Sequence, residues 1–476
     1  GIGLAIAVAF GIASNSSVGV LVWLLAAVVK APYATSIPPI DRYAFLALMG
    51  GWFISVVTHR RPLRAFGLTE GVMLLYLLYC VGSAIAPHDL PADTTYTPSR
   101  LILDTGLYAF ALFMLARQTM ANRRAVKTFL WCLVWYAIYL TVIAVFQKLG
   151  PQSLVWPRQI VDPSLGINPD RARGPLLNSA ADGVALVIGF CAAMYLASQP
   201  LLRFRRFALV AALLMPIGIF WTNTRAIWLA AGVAVIVGAM FAAGFRRWYL
   251  VVLGSAVAVI LINWQKFLSA DRTQGGVTSE SEIDARLNDT ATAIWGIQHK
   301  PIFGWGISRY PALNSEHHQS WGNIDWNLNN GFVSHNTHMA NAAELGIVGL
   351  SLWAMVVLSV NIVGIGAYRA VHRHGLLSKG LVLAFWGAGA AWLINATVID
   401  MRLFPFINAL TFVWAGIIAG MGDLAKEGKL ELDPEPEAEL GGGGAGPDDE
   451  LDVRGQRSQY PAFGDLGGNA VRRRPA

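Results

Sequence analysis

Runs of roughly 17 to 25 apolar residues recur along this chain, the length a helix needs to cross the hydrocarbon of a bilayer. No other feature constrains the fold as strongly. The runs fall near 38–57, 67–86, 99–118, 126–147, 181–199, 205–221, 225–242, 247–263, 339–364, 378–397 and 403–420. Region 1–31 reads either as one long helix or as a helix at 1–12 followed by another at 18–30, giving 12 or 13 crossings. No cleavable leader is read there, since the first apolar segment lacks a basic flank and a separate cleavage region. Of 476 residues, 55% are hydrophobic and 14% charged, against about 25% charged in a soluble domain. The sequence therefore predicts an all-α, polytopic integral membrane helix bundle.

Five short connections, "HRRPLRAF" (59–66), "RQTMANRRAVK" (117–127), "PLLRFRR" (200–206), "GFRRW" (244–248) and "YRAVHRHGLLSK" (368–379), carry Lys and Arg and no acid. They alternate with the remaining connections without a skip, so the positive-inside rule places all five in the cytoplasm. The long connections 148–180 and 264–338 then face the opposite side. The net charge of +7 is largely this topological signal, so nucleic acid is not an expected partner. Cys80, Cys132 and Cys191 all sit inside apolar spans. There they act as small hydrophobes, with neither disulfide nor zinc-ligand spacing.

The membrane domain is expected over 1–422. Residues 423–476 follow as a cytoplasmic tail expected to be disordered, since "ELDPEPEAELGGGGAGPDDELD" (431–452) has too little apolar content to offset ordering entropy. Loop 264–338 is different. Within it, 282–298 reads as a helix lying on the membrane surface, with Ile283, Leu287, Ala291 and Ile294 at near-helical spacing. "HKPIFGWG" (299–306) then breaks that helix. A structured loop this long is commonly functional. "SESEID" (279–284) reads as a solvated helix start whose acids suit the dipole.

Polar residues gather on this non-cytoplasmic side. Arg171 and Arg173 precede the span at 181, Arg286 lies on the loop helix, and Asp400 and Arg402 flank the last turn. Arg402 reads as an interfacial anchor. Arg225 opens a span after a loop of about three residues, which holds its guanidinium near the membrane surface between Thr224 and Trp228. No acid lies within ten residues of it, so its partner must come from elsewhere in the fold or from a ligand. In "NNGFVSHNTHMANAAELGIVGL" (329–350), "NNG" marks a turn and Ser334 is the expected N-cap. A helix starting there puts His335, His338, Ala342, Gly346 and Gly349 on one face, where small residues permit close helix approach. Glu344 falls on roughly the opposite face and is expected to satisfy a backbone or hydroxyl group on a neighbour. The spacing of His335 and His338 could supply two metal ligands, with His317 or His318 as a third. A histidine that merely caps the helix is the plainer alternative.

"SHNTHMANAAELGIVG" resembles the His-Asn…Glu-x-Gly element of the O-antigen ligase and polymerase superfamily of bacterial envelope glycosyltransferases. "TNTRAIWLA" is similar to that family's Ser/Thr-Arg element, and "RLNDTATAIWGIQHKPIFGWG" to its Arg…Trp…Pro-x-x-Gly-x-Gly loop. The three cover 222–350 in the family's order. Thr224 stands where Ser is common, and His338 and Met339 are more polar than the pattern. The resemblance implies transfer of a glycan from a polyprenyl pyrophosphate carrier to an acceptor hydroxyl, a glycan or a lipid A core, on the periplasmic side of the bacterial inner membrane. It implies no metal and no cofactor. Arg225 and Arg286 would stabilise the departing diphosphate with support from Arg171 or Arg173, and His335 would be the general base or would orient the acceptor hydroxyl. Asn336, His338 and Trp228 complete the expected substrate contacts. Ligase, polymerase and protein-glycosylating activities all fit. A transporter of bicarbonate-like anions and a structural subunit are the other classes. Charges at span ends rather than at span centres favour an enzyme over a conduit.

Overall fold

The computed structural model describes residues 16–30, 40–58, 63–242, 245–269 and 280–431. Each apolar run from 38–57 onward forms a helix. In chain order the helices are α1 (Ser16–Lys30), α2 (Ile40–Val57), α3 (Leu68–Ile85), α4 (Pro98–Thr119), α5 (Arg123–Leu149), α6 (Ser179–Ser198) and α7 (Arg205–Trp221). There follow α8 (Arg225–Phe241), α9 (Arg246–Ile262), α10 (Glu280–His299), α11 (Tyr310–Glu316), α12 (Thr337–Ala370), α13 (Lys379–Ala396) and α14 (Pro405–Lys426). Among the described residues, α3, α4, α5, α6, α12 and α14 are long and apolar enough to span a bilayer, while α2 and α8 are shorter apolar helices. The expected 12 or 13 crossings are therefore not reached by length and composition alone. The fold is an all-α polytopic membrane bundle.

Residues 1–15 lie outside the described residues, and with them the choice between one helix and two at the start. So does 432–476, most of the expected tail. Helix α14 runs to Lys426, past the boundary expected at 422, because "GDLAK" still carries strong helix formers.

Helix α6 is the hub. It is apolar all round and buried along nearly its whole length, as a helix must be when neighbours surround it. Helices α5, α7, α8 and α13 pack on it. Helix α14 packs most extensively on α4. Gly416 and Gly420 of α14 lie where a Cβ would overlap the carbonyls of Phe113 and Arg117, the close backbone contact that a Gly-x-x-x-Gly pair allows. One end of the bundle gathers the basic connections. There Arg117 pairs with Glu70 and with Asp423 at 2.7 Å, Arg64 bonds Gln118 and the Arg117 carbonyl, and Tyr195 bonds the carbonyls of Gly375 and Leu376.

Helix α12 departs from the expected continuous span. Gly346 has φ +65°, and the helix breaks there. "PIFGWG" fills the break with backbone: Ile347 N–H donates to Pro301 (2.8 Å), Trp305 N–H to Ala343 (2.9 Å) and Gly306 N–H to Glu344 (2.7 Å). Side chains at Gly304 or Gly346 would overlap the opposite strand of chain, and both φ angles are positive, so glycine is required on both sides. The orphan groups of the broken helix are thereby satisfied within the protein.

Helix α10 forms where expected, but its face is turned. Asn288, Asp289, Thr292 and Ala293 are buried, whereas Ile283 is exposed. Polar side chains face inward because they hold the loop: Asn288 donates to the carbonyls of Asp325 and Leu328 and accepts from Trp321 N–H. The apolar spacing located the helix, and the side that packs into the protein is largely the polar one.

Candidate functional site

At the end of the bundle opposite the basic connections lies a cavity of about 660 Å³, walled by loop 166–180, the starts of α6, α8 and α10, residues 329–335 and the 395–407 turn. Short caps set this rim. Asn178 accepts from the N–H groups of Ala180 and Ala181 to start α6, Ala172 N–H bonds the Trp221 carbonyl, and Thr222–Thr224 turns α7 into α8. Ser179 and Thr224 hydroxyls meet at 3.2 Å.

Arg171, Arg286, Glu282 and His335 line the cavity. Arg171 donates to Glu282 at 2.7 Å. Arg225 is not on the wall itself. Its guanidinium reaches the site through the other oxygen of Glu282, at 3.9 Å. Arg286 stands one helical turn on from Glu282, and the three cations feel one another electrostatically. Arg225 also opens α8, so its charge adds to the positive end of that helix dipole. The acid absent from the sequence around Arg225 is thus supplied by "SESEID", which is a counter-ion here and not only a solvated helix start.

His335 is placed by a carboxylate that sequence reading missed. Asp289 accepts the backbone N–H of His335 at 2.8 Å and lies 4.0 Å from its Nδ1. Tyr310 OH donates to the other Asp289 oxygen at 2.6 Å, and Ser334 OH approaches at 3.3 Å. Burial lowers the His335 pKa, Asp289 opposes this, and Arg286 lowers it further. Burial raises the pKa of Asp289 against its hydrogen bonds. The imidazole is therefore mainly neutral near pH 7, with a partly exposed ring toward the cavity.

Other expected contacts lie elsewhere. Arg173 is fully buried, and its guanidinium donates to the carbonyls of Ile160 (3.0 Å), Leu165 and Asp162. It is spent on folding the 158–178 loop and does not line the cavity. Trp228 donates to the carbonyls of Ile219 and Phe220 and stacks on Phe220 at 5.5 Å, closing the end of α7. Asn336, not Ser334, is the N-cap of α12. It accepts from His338 and Met339 N–H and donates to the Thr397 carbonyl. His335 therefore precedes the helix and shares no helical face with His338. Neither Asn336 nor His338 lines the cavity. His318 bonds Asn314 and His317 stacks on Trp295. Among the described residues no three His, Cys, Asp or Glu side chains gather as metal ligands.

Arg402 is no interfacial anchor. It is buried and paired with Asp400 and Glu344, each at 2.8 Å. Glu344 also accepts Tyr310 N–H at 2.9 Å, the backbone group expected of it. This triad supports the Tyr310 and Asp289 layer beneath His335. The signal for it was three ionisable residues that the spans could not leave unpaired.

Fold and site together define a polytopic helical membrane protein with a cation-lined cavity at one end of its bundle. Residues 209–354, less than a third of the chain, match the family model described as O-antigen ligase. No curated protein matches the chain.

Proposed function

We propose that this protein transfers a glycan from a polyprenyl pyrophosphate carrier to an acceptor hydroxyl, as an O-antigen ligase or a polysaccharide polymerase, at the periplasmic face of the inner membrane. The observation that carries the reading is the pairing of Arg171 and Arg225 with Glu282, with Arg286 one turn along the same helix and His335 on the same cavity wall. The acceptor oxygen attacks the anomeric carbon as the carbon–oxygen bond to the diphosphate breaks. Negative charge then builds on the leaving diphosphate, and guanidinium groups meet it with bidentate, charge-assisted hydrogen bonds. His335 takes the hydroxyl proton at Nε2 while Asp289 faces Nδ1. A base in this position contributes about 10²- to 10⁴-fold. A diphosphate is already a good leaving group, so the site needs cations more than an acid.

The filled break in α12 supports a transferase over an anion conduit. A transporter needs its broken helix to line a path, and here backbone from "PIFGWG" occupies that space. The test is transfer in vitro from purified carrier-linked glycan, offered separately to a lipid A core, a repeat-unit acceptor and a protein. Arg225→Ala and His335→Ala, each still folded, lose product with the true acceptor. Normal turnover in either variant refutes the site.

A further inference from the structure

We propose that Glu282 is an exchangeable counter-ion that occupies the diphosphate position and leaves it when the donor binds. This rests on the transferase reading above and adds to it how the anion site is loaded and emptied.

Two guanidinium groups share one carboxylate here, and the third, Arg286, stands one turn along the same helix within electrostatic reach of it. Each guanidinium carries five N–H donors, whereas a carboxylate offers two oxygens. The shortage shows in the structure. Among the described residues, Arg171 Nε and Arg225 Nε and Nη2 are buried with no hydrogen-bond partner. The 3.9 Å between Arg225 and Glu282 is an ion-pair distance, too long for a hydrogen bond. Buried donors left unpaired are costly, and a diphosphate has enough terminal oxygens to serve them. Position agrees with the count: Glu282 lines the cavity and Arg225 does not. With Glu282 in place, the donor reaches Arg171 and Arg286 but is kept from Arg225. Glu282 is also in the first turn of α10, with a side chain about one-third exposed, so a rotamer change toward solvent releases it without moving the helix. Its return after transfer repels the product diphosphate and re-pairs the arginines.

The alternative is a fixed brace that holds the arginines for the ligand. The two differ in sign. A counter-ion competes with the ligand, and two like charges a few ångströms apart in a half-buried site cost more than a ten-fold change in binding. Inorganic pyrophosphate is titrated calorimetrically into the full-length protein in nanodiscs, wild type and Glu282→Gln, with Glu282→Ser as a second variant. Exchange gives at least about ten-fold tighter pyrophosphate binding in both variants, and stronger inhibition of transfer by pyrophosphate. Equal or weaker binding in the variants, with wild type binding normally, overturns the exchange and leaves the transferase reading standing. No pyrophosphate binding by wild type or variants overturns both. A structure of the wild type with pyrophosphate needs no substitution: Glu282 still within hydrogen-bond distance of Arg171 beside bound pyrophosphate contradicts the proposal.

Discussion

Asp289 touches His335 from two directions, accepting its backbone N–H at 2.8 Å and facing its Nδ1 at 4.0 Å. The carboxylate therefore fixes the loop that carries the imidazole and places a negative charge near its Nδ1, without a hydrogen bond to it among the described residues. The charged groups that act on the ring are Asp289, Arg286, Asp400 and Glu282. Burial and Arg286 favour the neutral base, and Asp289 pulls the other way. Activity should rise with pH through a value below the ordinary imidazole pKa of about 6.5. Asp289→Asn removes the opposing charge, so the acid limb of kcat/KM moves to still lower pH. The plateau rate falls about ten- to hundred-fold as the base weakens. A pH–rate profile reads both. A rate loss with an unmoved limb means that Asp289 only scaffolds the loop.

Arg225 opens α8 and, in the proposed reaction, is one of the cations that meet the diphosphate. Arg225→Ala should cut transfer by about 10²- to 10³-fold, the usual loss for one charge-stabilising donor. Arg225→Lys should recover little of it, because a point charge does not replace a bidentate fork. Initial rates at saturating donor separate this from a binding defect alone.

Gly346→Ala forces a side chain into a position with φ +65° that already meets the Ile302 carbonyl. The expected result is loss of folded protein or a strongly lowered thermal midpoint in detergent, since a backbone conformation essentially confined to glycine (φ +65°, ψ −169°) alone costs a side-chain-bearing residue about 1–3 kcal/mol. The overlap adds to that cost. Gly232→Ala, in α8 with open space around its Cβ position, is the control that stays near wild type.

Arg402→Met leaves Glu344 and Asp400 buried without their cation. Breaking a buried pair this way costs about 3–5 kcal/mol. The double variant with Glu344→Gln should recover part of it. Thermal unfolding of the four proteins closes that cycle.

Apolar runs and basic connections made most helices legible in the sequence, because both signals are local. The interactions that organise the site are not local. Asp289 and His335 are far apart in sequence, as are Glu282 and Arg225, and only folding of the long loop joins them. Arg225 nevertheless announced a missing anion, since no acid stood near it. Arg173 and Arg171 look alike in "RAR", and which one faces the cavity depends on carbonyls of the 158–165 turn. Ser334 and Asn336 are equally good caps by composition, so the start of α12 was set by which side chain Asp289 engages. The break at Gly346 was invisible for a similar reason: its partner is a strand of backbone, and backbone contacts leave no side-chain pattern beyond the glycines themselves.

The most direct measurement is a structure of the protein with a non-hydrolysable polyprenyl diphosphate sugar in lipid. A transferase built this way holds the diphosphate oxygens within hydrogen-bond distance of Arg171, Arg225 and Arg286, with the anomeric carbon toward His335 Nε2. A diphosphate seated away from these guanidinium groups, or a sugar turned from the imidazole, contradicts it.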